Sequence, residues 1–146
     1  MLIKQITEDM KQAMKAGEKG RLMTIRMLRA AIKDREIELG HALSDEEVQA
    51  VLTRLLKQRK DAAAQYADAG RADLEANELA EAALIQSYLP EPLSDAELQQ
   101  LIDEAIRETG AESMRDMGKV MGIVKARAGS RADMGKVSSL VKAALA

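Results

Sequence analysis

At 146 residues, 47% of them apolar, the chain can form one ordinary domain or two small ones around a buried core. With two Tyr and no Phe or Trp, that core must be Leu, Ile, Val, Ala and Met, residues that suit helices better than sheets. The absence of Cys excludes disulfides, thiolate metal sites and a cysteine nucleophile, and a net charge of −2 excludes a strongly basic protein.

The charge is unevenly placed. Residues 91 to 114 hold one basic and seven acidic side chains, or −6, whereas residues 115 to 146 hold seven basic and two acidic, or +5. A basic tail behind an acidic segment points either to a phosphate-bearing partner or to neutralisation between neighbouring helices. No run of about 18 apolar residues occurs, so no membrane span is expected. The first segment is too acidic for a secretory leader. Together with the absence of Cys, this leads to the expectation of a cytoplasmic protein.

Seven helical segments follow in chain order. The first covers about Leu2 to Ala16, with Leu2, Ile6, Met10 and Ala13 at helical spacing and Gly17 and Gly20 expected to end it. The second runs from about Arg21 to Leu39, turning Ile25, Leu28 and Ile32 inward, and Gly40 caps it. Ser44 and Glu47 have the spacing of a capping box, opening a third helix to about Asp68 with Val48, Val51, Leu52, Leu55, Ala62 and Tyr66 on its buried stripe. A break at residues 69 to 72 precedes a fourth helix, from near Asp73 to near Leu89.

Pro90 and Pro92 form the clearest boundary, because proline lacks an N–H and drives the preceding residue out of the helical region. Ser94 and Glu97 repeat the capping-box pattern and open a fifth helix to about Glu108, with Leu98, Leu101, Ile102 and Ala105 inward. A sixth covers about Asp116 to Ala126. A seventh runs from near Asp133 to the end, with Val137, Leu140 and Val141 inward. The expected architecture is all-α: a four-helix module over residues 1–90 and a three-helix module over 91–146.

No catalytic constellation is legible. His41, the single histidine, lies in a loop with no second His or Cys to complete a metal site. The carboxylates sit at caps or beside Lys and Arg at helical spacing, the pattern of a solvated face. No catalytic residue, metal site or cofactor is expected.

The informative stretch is residues 117 to 133. Gly118, Gly122, Lys125 and Gly129 fall at i, i+4, i+7 and i+11, one face of a helix, beside the apolar positions Met117, Val120, Met121 and Val124. A glycine inside a helix costs about 1 kcal/mol against alanine, so two of them off the apolar stripe imply close approach to the backbone. The approaching body is either a neighbouring helix or a phosphate–sugar backbone. Lys119, Lys125, Arg127 and Arg131 supply charge nearby, and Ser130 and Arg131, at the start of the seventh helix, are further candidates for holding a phosphate. Arg26, Arg29 and Lys33, at i, i+3 and i+7, are a candidate second basic face, although the interleaved Asp34 and Glu36 favour a plain solvated face. Neither face carries aromatic residues, so any nucleic-acid contact should be with backbone and shape rather than with stacked bases.

The chain resembles the YqeY family, the GatB/YqeY group of small bacterial proteins, over essentially its whole length. In the first module the likeness is carried by Asp9-Met-Lys-Gln-Ala-Met-Lys-Ala-Gly17, Arg26-Met-Leu-Arg-Ala-Ala-Ile-Lys33 and Leu56-Lys-Gln-Arg-Lys-Asp61. It continues through residues 66 to 74, Glu81 and Tyr88-Leu-Pro90. In the second it is carried by Asp116-Met-Gly-Lys-Val-Met-Gly122 and Arg131-Ala-Asp133. The family pattern places a glycine directly before Arg-Ala-Asp, where this chain has Ser130, with glycine at Gly129.

The resemblance implies that the three-helix module is similar to the tail of the GatB subunit of the tRNA-dependent amidotransferase, a part that contacts tRNA and performs no chemistry. It implies tRNA as partner and Gly118, Lys119, Gly122, Lys125, Arg127, Gly129 and Arg131 as contact residues. An aminoacyl-tRNA synthetase or an amidotransferase component is the further implied partner. A glutamine-dependent carbon–nitrogen ligase activity belongs to the kinship, and no residues for it are identifiable here. The expected role is a translation-associated tRNA-binding accessory protein, with a protein-docking module as the alternative.

Overall fold

The computed structural model describes residues 1–146 apart from the side chain of Ser130. Among the described residues there are seven α-helices, two short 3-10 turns and no strand. Among the described residues no helix is long and apolar enough to cross a membrane. The chain divides into two compact units, Met1–Leu89 and Pro90–Ala146.

In the first unit, α1 (Leu2–Ala16) reverses into α2 (Lys19–Leu39) through Gly17, whose φ of 69° is the left-handed conformation the turn requires. Gly20 therefore does not help to end the first helix, as expected, but lies inside the second. One left-handed residue suffices for the reversal, and a glycine near a helix start is no obstacle. α3 (Asp45–Asp68) opens on the Ser44–Glu47 capping box: Ser44 Oγ accepts the Glu47 N–H at 3.2 Å, and Glu47 Oε1 accepts the Ser44 N–H at 3.1 Å. Asp45 in turn accepts the Leu2 N–H at 3.0 Å, capping a helix whose own N-cap side chain makes no such bond.

α4 (Ala72–Ser87) packs against α3. Ile6, Ile25, Leu28, Val48, Leu52 and Ile85 are fully buried. Ala62 and Tyr66 are only half-buried, and Leu56 and Ala63 occupy the inside positions instead.

Two polar links complete this unit. Tyr88 Oη donates to Asp9 Oδ2 at 2.5 Å, joining the end of α4 to α1. Burial first, and then the Asp9 carboxylate, push the phenol pKa above its ordinary value, so Tyr88 remains a donor. Arg59 Nη1 lies 3.5 Å from Glu78 Oε2 and 3.4 Å from Glu81 Oε2, an ion-pair cluster between α3 and α4. Asp9, Arg59, Glu81 and Tyr88 all belong to the segments that carry the family likeness, and here they hold helices together.

In the second unit, α5 (Asp95–Thr109) opens on the Ser94–Glu97 box, with both bonds formed, at 3.1 and 3.3 Å. The Ser94 hydroxyl bond, foremost, holds the Glu97 carboxyl below the usual range. α6 (Met117–Ala128) and α7 (Met134–Leu145) complete the unit around Leu98, Ile102, Ala105, Val120, Val124, Val137 and Val141.

Candidate phosphate-backbone interface

α6 turns Val120, Val124 and Ala128 into the core of its unit, with Met117 and Met121 half-buried at the edge. Gly118, Gly122 and Lys125 fall on the opposite side and are exposed. A Cβ added at Gly118 or Gly122 would meet nothing within 4 Å. Close packing against another helix of the unit therefore does not account for these glycines. Both forgo helix propensity on a face that this chain leaves open.

The basic residues separate into two groups. Arg127 sits roughly half a turn from Gly118 on a helix of 3.6 residues per turn, away from the glycine face. Its Nη2 donates to Glu108 Oε2 of α5 at 2.6 Å, and that hydrogen bond raises the guanidinium pKa. Arg131 Nε donates to the Glu91 carbonyl at 2.8 Å, and the Arg131 carbonyl accepts the Leu93 N–H at 2.9 Å, so this residue fastens the segment entering α5. Lys136 pairs with Asp95. The acidic segment thus neutralises part of the basic tail.

The side chains of Arg115, Lys119, Lys125 and Lys142 have no ionic or hydrogen-bonded partner among the described residues, and Lys119 and Lys125 flank the open glycine face. Gly129 has a local reason: at φ 56° and ψ −132° it terminates α6 in a conformation L side chains rarely adopt. At the start of α7, Asp133 Oδ1 already accepts the Gly135 N–H at 3.3 Å, which places a carboxylate where a phosphate was expected. The part of that expectation resting on the Ser130 side chain lies outside the described residues.

Of the sequence-derived contact residues, the structure brings Gly118, Lys119, Gly122 and Lys125 together on one exposed surface. It ties Arg127 and Arg131 to acceptors in the preceding segment. Those acceptors, Glu108 and the Glu91 carbonyl, were missed; the only sequence signal for them was the acidic block itself.

Arg26, Arg29 and Lys33 are exposed on α2 and line a groove of about 390 Å³. His41 is an exposed loop residue, its Nδ1 2.9 Å from the Ala42 carbonyl oxygen and its Nε2 3.6 Å from Glu47.

Comparison with known proteins finds matches over most of this chain. The family model described as YqeY-like protein matches residues 3–145. Relatives named "Altered inheritance of mitochondria protein 41, mitochondrial" occur in several organisms. The Vanderwaltozyma polyspora protein is 30% identical over 119 residues, 77% of this chain and 64% of that protein. The Clavispora lusitaniae protein is 32% identical over 112 residues, 75% and 65% respectively. A Saccharomyces cerevisiae relative is 31% identical over 121 residues, 78% and 65%. These matches span a little under two thirds of the curated relatives' own length.

The names correct two expectations. They are those of mitochondrial proteins, against the cytoplasmic location expected from missing Cys and an acidic start, two compositional traits that do not distinguish compartments. The bacterial setting attached to the resemblance is likewise not the setting of these relatives. The chain belongs to the YqeY family.

Proposed function

We propose that this YqeY-family chain is a non-catalytic, tRNA-associated accessory protein, and that α6 is the surface meeting the phosphate backbone. The observation that carries the reading is the pair of exposed helical glycines, Gly118 and Gly122, with open space above them and two unpaired lysines, Lys119 and Lys125, beside them. A helix stripped of side chains on one strip, with cations at its margins, suits a convex anionic backbone. Without aromatic residues on that face, the contact is with phosphate and sugar rather than with stacked bases. In this reading residues 1–90 and 91–146 are separate four-helix and three-helix domains, the latter similar to the GatB tail. Arg127 and Arg131 shape the domain rather than touch RNA.

The test is tRNA binding by the full chain across a salt series. Each phosphate contact adds about 0.9 to the magnitude of the log–log salt slope. The double variant Lys119→Glu/Lys125→Glu should therefore bind weakly and flatten the slope by about two. Arg127→Gln should leave the slope nearly unchanged, because that side chain is held by Glu108. Absence of binding even at low salt, or an unchanged slope in the lysine variant, would overturn the proposal. It would favour the second reading, in which the same face docks on a synthetase or amidotransferase component.

A further inference from the structure

We infer that the outer face of α2, in the first unit, is a docking surface for an acidic amphipathic helix of a partner protein. Met23, Arg26, Ala30, Lys33 and Ile37 recur at i, i+3, i+7, i+10 and i+14, the spacing with which one helix presents a seam to another. All five are exposed; Met23 and Ile37, large apolar side chains at the two ends of the seam, are 71% and 72% exposed. The opposite side of α2 is committed to the core through Ile25, Leu28 and Ile32. The stripe is therefore a second surface of the same helix, three apolar positions alternating with two cations, spanning roughly 21 Å at 1.5 Å per residue.

Charge selects the occupant. Arg26 and Lys33 stand between the apolar positions with no ionic partner among the described residues, and Arg29 contacts only the Met10 sulfur, at 3.1 Å. Two carboxylates of α2 lie near them, Glu36 in the groove between α1 and α2, whose wall includes Ile3 and Ile6, and the exposed Asp34 beside the stripe, so the three cations remain in excess. This groove, of about 390 Å³, runs along one margin of the stripe: Arg26, Ala30 and Lys33 line it, whereas Met23 and Ile37 lie outside it. An incoming helix with apolar residues at heptad spacing and carboxylates at its margins satisfies both the apolar ends and the cations between them. A phosphate backbone would satisfy the cations and leave Met23 and Ile37 in water, which is why a protein helix is the better occupant. The surface lies wholly within Met1–Leu89 and does not depend on the role of α6.

The probe is a fluorescein-labelled synthetic helix about three heptads long, with Leu at the two seam positions and Glu at the flanking ones. The flanking glutamates repel one another across any homodimer and keep the probe monomeric. A control peptide carries Lys in place of Glu. Anisotropy with the full chain should show saturable binding of the acidic probe, at least about tenfold tighter than the control. Arg26→Glu/Lys33→Glu should weaken it about tenfold or more, and Ile37→Ser, which changes no charge, should weaken it by about the same factor. All three positions are exposed, so circular dichroism of the variants should match the native chain. The proposal is overturned if the acidic probe does not saturate, or if it binds the charge-reversed chain as tightly as the native one. It is also overturned if an RNA hairpin, and not the peptide, binds native α2 and is lost in the same variant.

Discussion

Replacing both open glycines of α6 by alanine should make the protein more stable and poorer at binding tRNA. Gly122 is a mid-helix residue, so alanine there gains about 1 kcal/mol; Gly118 lies in the first turn, where the gain is on the order of half that. Neither new methyl meets an atom within 4 Å, so nothing in the fold offsets the gain. At roughly 4–8 °C per kcal/mol for a small domain, the unfolding midpoint of the second unit rises by about 6–12 °C. The same methyls stand where the phosphate backbone is proposed to approach, and tRNA affinity should fall about tenfold, equivalent to ~1.4 kcal/mol. Calorimetry and a tRNA titration at fixed salt read the two effects separately. Gly129→Ala is the internal control: its φ of 56° and ψ of −132° make a Cβ costly, and it should destabilise by about 1–3 kcal/mol. A double variant that is stabilised yet binds tRNA as before would show that the glycine face is not a contact surface. One that is destabilised would refute the argument from open space itself.

Three further outcomes concern the scaffold. Tyr88→Phe removes the bond to Asp9 and should cost about 1 kcal/mol in urea unfolding, with an unchanged far-ultraviolet circular dichroism spectrum excluding helix loss as the cause. Arg59→Met leaves Glu78 and Glu81 facing each other without their cation and should cost about 2 kcal/mol; a neutral result would mean the cluster is solvated well enough to be dispensable. Ser94→Ala should cost about 1 kcal/mol at pH 7 through the lost cap. Because the folded Glu97 pKa lies below its ordinary value of 4.5, its contribution is present above that pH and disappears as the pH falls through the folded value. The gap between native and variant midpoints should accordingly narrow in acid, leaving the part due to the Glu97 N–H bond to the Ser94 hydroxyl, which does not titrate.

How much of this was legible in the sequence depended on how far each interaction reaches. Both capping boxes were, because Ser44 and Glu47, like Ser94 and Glu97, are three residues apart and need nothing else to form. Core positions such as Ile25, Leu28, Ile32, Val120 and Val124 followed from helical period. Gly20 was misread because glycine marks a helix end only when the chain needs a left-handed residue there, and Gly17 already supplied it. The pairing of Arg127 with Glu108 crosses from one helix to another and has no local signature, so a residue expected on the glycine face is found holding α5. Exposure at Met23 and Ile37 was hidden for another reason: helical period sets them off the face of Ile25, Leu28 and Ile32, but whether a neighbouring element covers that side of α2 is decided by tertiary packing.

The clasp around Arg131 bears on where the second unit can be cut free. Its guanidinium holds the Glu91 carbonyl and its own carbonyl holds the Leu93 N–H, so residues 91 to 93, helix-free as they are, belong to the frame of the three helices. A fragment trimmed to Ser94 would keep every helix of the unit and the cap of α5, yet lose both ends of that clasp and loosen the corner between α6 and α7. A fragment starting at Pro90 would retain it. An Arg131 substitution unfastens the same corner, and a binding defect in such a variant would record a shifted scaffold before it recorded a missing contact.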